Sequence, residues 1–409
     1  MLRRLVIAVL VLAASALPSA AQTSDDLFNP EQLQRIELWL NAADWEKLKA
    51  NFQENTYYPA DLVWNGITVQ NVGIRSRGFG SRRGSKPGLR VDMNRYADGQ
   101  TFLGLKAFVL DNLSQDPSGI RESVTFKFYT MLGIPTARKS HAQLFINGRF
   151  AGLYGVVEAV DKTMLARLFG SINGNVQNDG YLFEYNYLTD SPWRFTYEGS
   201  DLAPYKKRFE IKTNDTKSDA QIWGPIEQLV RLVNDTDSSR FESVVGPLID
   251  LHQFTRYMAL QNFVAENDGF NGYAAMNNFY IYRLEQSDKH VFIPKDEGVA
   301  FLQPDFGITL RLDENVLTRK TLALNSYSSE YFSVLLEAAD LANGWLRQEI
   351  QREFDLTTES MLADPAHLFS AEEYQADKNN LLAFADARVT YVRCEVAKVL
   401  GSTRPAGCQ

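Results

Sequence analysis

The amino-acid sequence predicts an α+β protein in which a β-rich first part leads into a mostly helical second part. Short alternating segments separated by Gly-containing turns dominate up to about residue 160, and helical periodicity dominates after about residue 219. No internal repeat or low-complexity tract interrupts this order. With 409 residues, 45% of them apolar, the chain can build two lobes with real cores. We place these lobes at residues 22–160 and 161–409.

The first 21 residues have the composition of a signal peptide. Arg3 and Arg4 give a positive start, residues 5–17 are an apolar run, and Ser19, Ala20 and Ala21 supply small residues for cleavage. The sequence therefore predicts export to a periplasm or to the extracellular space. The mature chain would begin at residue 22 without a stable membrane span. An uncleaved membrane anchor is the alternative.

Charge and cysteine usage narrow the classes of partner. The net charge is −8 and basic residues are scattered, which argues against a nucleic-acid partner. In an oxidising compartment Cys394 and Cys408 are expected to form a disulfide. A secreted hydrolase is disfavoured because the chain contains neither H-E-x-x-H nor G-x-S-x-G. Its four histidines stand apart in the sequence, at His141, His252, His290 and His367.

The first part contains strand signals, two helix signals and two short hairpin signals. Asn65-Gly66 and Asn147-Gly148 are typical of tight hairpin turns. A helix begins near Asp116 and stops before Gly133. The predicted strands are residues 32–40, 57–63, 67–75, 89–93, 105–110, 142–146 and 152–157, and the predicted helices are residues 44–51 and 116–132.

The second part alternates less and is mainly helical. A strand–helix–hairpin unit in the first part is followed by this mainly helical second part. The same order of elements is found where a protein-kinase small lobe leads into its large lobe, so we predict a protein-kinase-like two-lobed fold. The predicted helices are residues 161–169, 221–234, 239–245, 251–266 and most of 329–400, and the predicted strands are residues 181–187, 208–212, 278–284 and 290–294.

A basic, glycine-rich loop covers residues 75–88. Glycine lets the backbone approach a bound group, and cations favour anions, so the loop could cradle phosphate. Arg77, Lys86 and Arg90 are the candidate nucleotide-binding cations. The alternative is a solvated, flexible basic loop.

Two carboxylates of the first part are further candidates. Glu122 lies on the predicted helix, where a kinase-like lobe carries a carboxylate that pairs with a phosphate-binding lysine. Lys86 is the first choice of partner and Arg90 the second. Glu158 ends a predicted strand at the hinge between lobes, where it could accept a hydrogen bond from a nucleotide. Exposed helix charges and a locally bonded strand end are the alternatives for the two carboxylates.

Three polar residues of the second part could form a catalytic and metal site. Asp268 follows the helix predicted at residues 251–266 and could orient a hydroxyl nucleophile. Asn278, which follows Asn277, and Asp296, which ends a strand, could supply oxygen ligands to magnesium. Ordinary loop caps are the alternative. The kinase-like tripeptide at residues 305–307 follows no clear strand, and we interpret it as a coincidence.

Motifs in order between residues 75 and 296 resemble those of the CotH kinase family, named for spore coat protein H. They are the Arg77-Gly78 loop with Lys86, FLGLKAFVLDN, DPSGIRES, INGRFAGLYGVVEAVD, FEIKT, ENDGF, NNFYIY and VFIPKD. The resemblance implies a kinase-like fold and an atypical kinase that uses ATP with Mg²⁺ or Mn²⁺. Its acceptors would be Ser or Thr of secreted or cell-envelope proteins. It further implies that Asp268 is catalytic, that Asn278 and Asp296 bind metal, and that Lys86 and Glu122 anchor phosphate.

The chain departs from the family pattern at three positions. Lys295 stands where the family usually has Trp, Gly298 where it has a second Asp, and Glu184 where Lys is common. Glu297 or Asp305 could substitute for the missing carboxylate. Two functions therefore stay open, an exported protein kinase and a catalytically weak or inactive surface scaffold of the same family.

Overall fold

The computed structural model describes residues 22–172 and 174–408, so the predicted signal peptide lies outside the described residues. In the first two strands, Leu33–Leu40 and Tyr58–Trp64, buried side chains alternate with more exposed ones, so one face packs inward. The helices of this part are α1 (Ser24–Leu27), α2 (Ala42–Ala50) and α3 (Arg121–Met131). The strands are β1 (Leu33–Leu40), β2 (Tyr58–Trp64), β3 (Ile67–Arg77), β4 (Gly88–Asp92), β5 (Ala107–Asp111), β6 (Lys139–Ile146) and β7 (Arg149–Glu158).

These seven strands form a closed barrel in the order β1-β2-β3-β4-β5-β7-β6. Neighbouring strands are antiparallel except at the closure, where β6 runs parallel to β1 with Leu33 opposite His141 and Leu38 opposite Ile146. The barrel encloses its own apolar core, in which Ile36, Leu62 and other side chains are fully buried. Closure leaves the sheet without an open edge.

The predicted protein-kinase-like two-lobed fold is wrong. The β-rich part is a closed seven-stranded barrel, and helices at the C-terminus follow it. Alternation in the sequence indicates which residues form strands and which face is buried. It does not indicate the partner strand, and the closing pair joins residues as far apart as Leu33 and His141.

The second part combines helices with a small sheet. Its strands are β8 (Ser171–Ile172), β9 (Asn175–Val176), β10 (Tyr181–Tyr185), β11 (Phe209–Ile211), β12 (Phe279–Arg283) and β13 (His290–Pro294). Its helices are α4 (Lys162–Phe169), α5 (Ala203–Arg208), α6 (Asp219–Asp235), α7 (Phe241–Val245), α8 (Leu251–Phe263), α9 (Val316–Leu322), α10 (Asn325–Leu362) and α11 (Ala371–Val399). Non-helical backbone angles at Asn343 and Gly344 kink α10.

The four-stranded antiparallel sheet has the order β11-β10-β12-β13. In its centre Tyr280 on β12 lies opposite Glu184 on β10 and Ile293 on β13. A large core, which includes residues of α3, α8, α10 and α11, packs beside the sheet. The sheet thereby holds the start of β12 and the end of β13 side by side.

The C-terminal segment is fastened by a disulfide. Cys394 on α11 is bonded to Cys408, which confirms the predicted pairing. No helix within the described ranges has the length and apolar character needed to cross a membrane.

Candidate functional site

The loop after α8 aims Asp268 at the start of β12. Ala265 adopts a left-handed backbone with φ 54°, which ends the helix sharply. The Asp268 backbone N–H then donates to Glu266 Oε1 at 2.7 Å. Asp268 Oδ2 accepts from Asn277 Nδ2 at 3.1 Å and from Asn278 Nδ2 at 3.2 Å. Burial raises the pKa of Asp268, and these two amide donors act against that rise.

Asp296 comes close to this group through the pairing of β12 with β13. The Lys295 N–H donates to Asn278 O at 3.1 Å, so Asp296 is the next residue beyond that contact. Asn278 and Asp296 both have left-handed backbones, with φ 55° and 52°. The structure thus brings Asp268 and Asn278 into direct contact and places Asp296 one residue beyond the backbone contact between Lys295 and Asn278.

Asp296 is exposed, and its carboxyl lies among charged groups of the barrel and of the small sheet, a region that we call the crevice. Desolvation raises the pKa of its carboxyl, and the neighbouring Asp111 carboxylate raises it further. Lys295, Arg77 and Lys139 act in the opposite direction. Charged groups from two parts of the fold therefore act on the Asp296 carboxyl. The barrel contributes Asp111, Arg77 and Lys139, and the end of the small sheet contributes Lys295.

The barrel supplies a buried lysine to this crevice, and it is Lys139. Its Nζ lies 2.5 Å from Glu122 Oε2 and 3.5 Å from Asp111 Oδ2. Burial works against a charged ammonium, but the Glu122 and Asp111 carboxylates hold the pKa of Lys139 above its usual value. Lys139 was not a candidate from the sequence, because the strand was predicted to begin at residue 142 and no motif singled out Lys139, whereas β6 begins at Lys139.

The predicted ion pair between Lys86 and Glu122 does not form. Lys86 Nζ lies 2.7 Å from Asp364 Oδ2, with side chains only 2% and 0% exposed. The same Asp364 oxygen accepts from the Leu153 N–H at 3.0 Å. Lys86 therefore joins the barrel to the segment after α10. This partner was missed because it is remote in sequence and only the tertiary fold brings it near.

The other predicted nucleotide-binding residues differ in whether their charged groups already have a partner within the protein. In residues 22–172 and 174–408, no carboxylate lies within ion-pair distance of Arg77, whose charge acts on Asp296. Arg90 Nε lies 3.6 Å from Asp92 Oδ2. Glu158 is buried and its carboxylate is bonded to Arg138, at 2.6 Å, and to Arg167. Arg77 is thus the best-placed of the three to meet an anion.

Neither proposed substitute for the missing family carboxylate faces the crevice as a free group. Glu297 is fully buried, and burial raises its pKa to about 8. It accepts hydrogen bonds from Gln261 Nε2 at 3.2 Å and from the Tyr129 hydroxyl at 3.3 Å. Asp305 is exposed, and the carbonyls of its neighbours Pro304 and Phe306 accept hydrogen bonds from the buried Arg388. The 305–307 tripeptide has a structural partner.

Carboxylates alone do not supply enough ligands in this region to hold a metal cation. Across the described ranges, no three His, Cys, Asp or Glu side chains are grouped so that they could hold a metal ion. A cation near Asp268 and Asp296 would also use the Asn278 amide oxygen, phosphate oxygens or water, which are ordinary magnesium ligands.

Sequence comparison defines the class of protein to which this crevice belongs. The family model described as CotH kinase protein matches residues 74–392, which include both the barrel strands around Arg77 and the Asp268 and Asp296 loops. The chain belongs to the CotH kinase protein family.

Two relatives are similar to the chain. The inner spore coat protein H of Bacillus subtilis is 21% identical over 378 residues, covering 89% of this chain and 98% of that protein. Invasin CotH2 of Rhizopus delemar is 23% identical over 242 residues, covering 59% of this chain and 38% of that protein.

Proposed function

We propose that this protein is an exported kinase that transfers phosphate from ATP to Ser or Thr of secreted or cell-envelope proteins. The observation that supports the proposal is that two polar groups approach Asp296. Asn278 contacts Asp268 and, through its carbonyl oxygen, the Lys295 N–H next to Asp296, while Lys139, paired with Glu122, acts on the Asp296 carboxyl from the barrel. Phosphoryl transfer depends mostly on positioning and on charge neutralisation, which such a crevice supports.

The residues fit a divalent cation. Asp268, Asn278 and Asp296 offer hard oxygen atoms, and the Asp111 carboxylate crowds Asp296 with like charge. Asn278 and Asp296 are the residues that would hold Mg²⁺ or Mn²⁺. When bound, the cation would neutralise charge on the nucleotide phosphates.

The chain's own residues then have distinct roles. Asp268, held by two amide donors, would orient the acceptor hydroxyl and take its proton. Arg77, without an internal carboxylate partner among the described residues, would contact phosphate at the crevice mouth. Lys139 would take the phosphate-anchoring role that the sequence had suggested for Lys86, fixed in place by Glu122.

Export is the second half of the proposal. It is supported by the signal-like residues 1–21 and by the disulfide, which is typical of oxidising compartments. The names of the two relatives refer to a spore coat and to an invasin, both compatible with a surface location.

The proposal is tested with the mature chain, residues 22–409, labelled ATP, Mg²⁺ or Mn²⁺ and candidate envelope proteins. We expect label transfer that falls at least 100-fold in Asp268→Asn, because the isosteric amide cannot accept the proton. Asp313→Asn, which alters an exposed carboxylate, is the matched control.

The inactive scaffold is the second candidate, favoured by Gly298, which stands where the family usually has a second Asp after the one at position 296. It predicts no label transfer and no metal-dependent thermal shift with ATP. Transfer that is equal in wild type and Asp268→Asn would reject the proposed mechanism, whereas a nucleotide shift without transfer would favour a binding scaffold.

A further inference from the structure

Glu184 holds an unusual position between two lysines beside the crevice. Its Oε2 lies 2.6 Å from Lys212 Nζ, and its Oε1 accepts a hydrogen bond from Lys295 Nζ. The Glu184 side chain is 17% exposed and the Lys295 side chain 26% exposed, so the pair is partly shielded from water. Such shielding makes an ion pair stronger than it would be on an open surface.

The Glu184–Lys295 pair reaches from β10 across β12 to the end of β13. Glu184 lies on β10 opposite Tyr280 of β12, while Lys295 follows the end of β13 on the far side. Lys295 Nζ passes 5.8 Å from the centre of the Tyr280 ring. The pair therefore ties two strands that are not neighbours, and it does so at the crevice end of the sheet.

Lys295 is consequently fixed at two points. Its N–H donates to Asn278 O at 3.1 Å, and its ammonium is held by Glu184. The next residue, Asp296, has a left-handed backbone with φ 52°, a conformation that costs a non-glycine residue energy, although Asp tolerates it better than most. Fixing Lys295 from both ends restricts the turn that presents the Asp296 carboxylate.

We propose that Glu184 is a positioning residue: it acts through Lys295 to hold the turn that carries Asp296 in the crevice. This inference rests on the proposed function only for its effect on metal-dependent nucleotide binding. The backbone effect at residues 295–297 stands independently. A simple structural ion pair would stabilise the fold without changing either property specifically.

The first test is hydrogen exchange on the nucleotide-free protein. Glu184→Gln removes the charge and keeps the shape. We expect the amide of Lys295 and its two successors to exchange about 10-fold faster than in wild type, because the turn loses one of its two restraints. Glu210→Gln is the matched control, since Glu210 contacts Lys212 at 2.8 Å, and within residues 22–172 and 174–408 Lys295 forms its ion pair with Glu184 rather than with Glu210. Equal exchange in both variants would overturn the positioning role.

A charge reversal separates positioning from direct binding of phosphate by Lys295. Glu184→Lys with Lys295→Glu restores an ion pair of opposite polarity. It is made in a Lys212→Met background, because Lys212 would repel a lysine at position 184. We expect slow exchange of residues 295–297 to return relative to Lys295→Glu alone in that background. Failure of the reversal to restore protection would overturn the inference.

The functional readout is the Mg²⁺ concentration that gives half of the ATP-induced thermal shift. We expect Glu184→Gln to raise it about 10-fold while Glu210→Gln leaves it unchanged. A protein whose exchange responds as expected, but whose wild type shows no ATP shift at any Mg²⁺ concentration, would refute the proposed kinase function and leave the positioning role standing. In a wild type that does show the ATP shift, an unchanged Mg²⁺ requirement together with faster exchange would overturn the effect of Glu184 on the metal site.

Discussion

Replacing Lys86 by methionine tests whether this lysine serves the fold or the nucleotide. In the structure the Lys86 ammonium is buried against Asp364, whose carboxylate also accepts the N–H groups of Leu153, at 3.0 Å, and Ala366, at 2.8 Å. Lys86→Met fills the same space but leaves a buried carboxylate without its cation. The change therefore acts on the joint between the barrel and the segment after α10.

The magnitude follows from the burial of both partners. Removing one partner of a buried ion pair usually costs about 3–5 kcal/mol, because the remaining charge stays in a poorly solvated place. The two backbone donors to Asp364 still stabilise its charge, so we expect a loss near the lower end, about 3 kcal/mol. Adding Asp364→Asn removes the unpaired charge, and the double variant should lose less stability than the sum of the two single variants.

Urea unfolding followed by intrinsic fluorescence measures these free energies, and an ATP-induced thermal shift is recorded on the same proteins. We expect Lys86→Met to unfold at lower urea concentration and to keep its nucleotide shift. The reasoning is refuted by the reverse outcome, a variant as stable as wild type that no longer responds to ATP. That result would return the phosphate-anchoring role to Lys86.

Three further predictions concern the crevice and its edge. Lys139→Met should reduce the ATP-induced thermal shift by more than half, because it removes the buried cation paired with Glu122. Isothermal titration of ATP at saturating Mg²⁺ checks this prediction, and an unchanged affinity for ATP would contradict it. Gly298→Asp should lower the Mg²⁺ concentration that gives half of the ATP-induced thermal shift about 10-fold. A Cβ at position 298 would lie 3.5 Å from Asp296 Oδ1, so the new side chain brings another carboxylate to the site. An unchanged Mg²⁺ requirement would show that the new carboxylate does not join the site. Burial alone would raise the pKa of Glu184, but the Lys295 and Lys212 ammonium groups lower it to about 2. The contribution of ionised Glu184 to the stability of the fold is therefore present above about pH 4.5 and is lost as the pH falls towards 2. Urea unfolding between pH 2 and 5 should show a weaker acid dependence in Glu184→Gln than in wild type, and parallel curves would contradict the assignment.

Local signals in the sequence predicted the elements well. The Asn147-Gly148 turn has φ 50° and 77°, as its dipeptide indicates, and pairs Ile146 with Arg149. The strands at the end of the small sheet were predicted at residues 278–284 and 290–294 and lie at Phe279–Arg283 and His290–Pro294. Such features depend on a few consecutive residues, so a single sequence contains enough information to predict them.

Pairings between distant residues were not predictable in the same way. The barrel closes because β6 lies parallel to β1, and no local pattern distinguishes that partner from another strand. The same reason explains the wrong partner for Lys86. Glu122 was chosen because a kinase-like lobe carries a carboxylate on that helix, but the fold pairs Glu122 with Lys139 and Lys86 with Asp364.

Part of the candidate site could be predicted because Asn and Asp suit both a left-handed turn and the binding of a metal ion. Asn and Asp tolerate a left-handed backbone better than most residues, and they are also the residues that offer oxygen ligands. Asn278 and Asp296 flank paired strands and both take that conformation, with φ 55° and 52°. Backbone geometry alone would accept glycine at either position. The contact from Asn278 Nδ2 to Asp268 Oδ2, at 3.2 Å, requires the amide side chain and therefore favours a role for Asn278 beyond the turn.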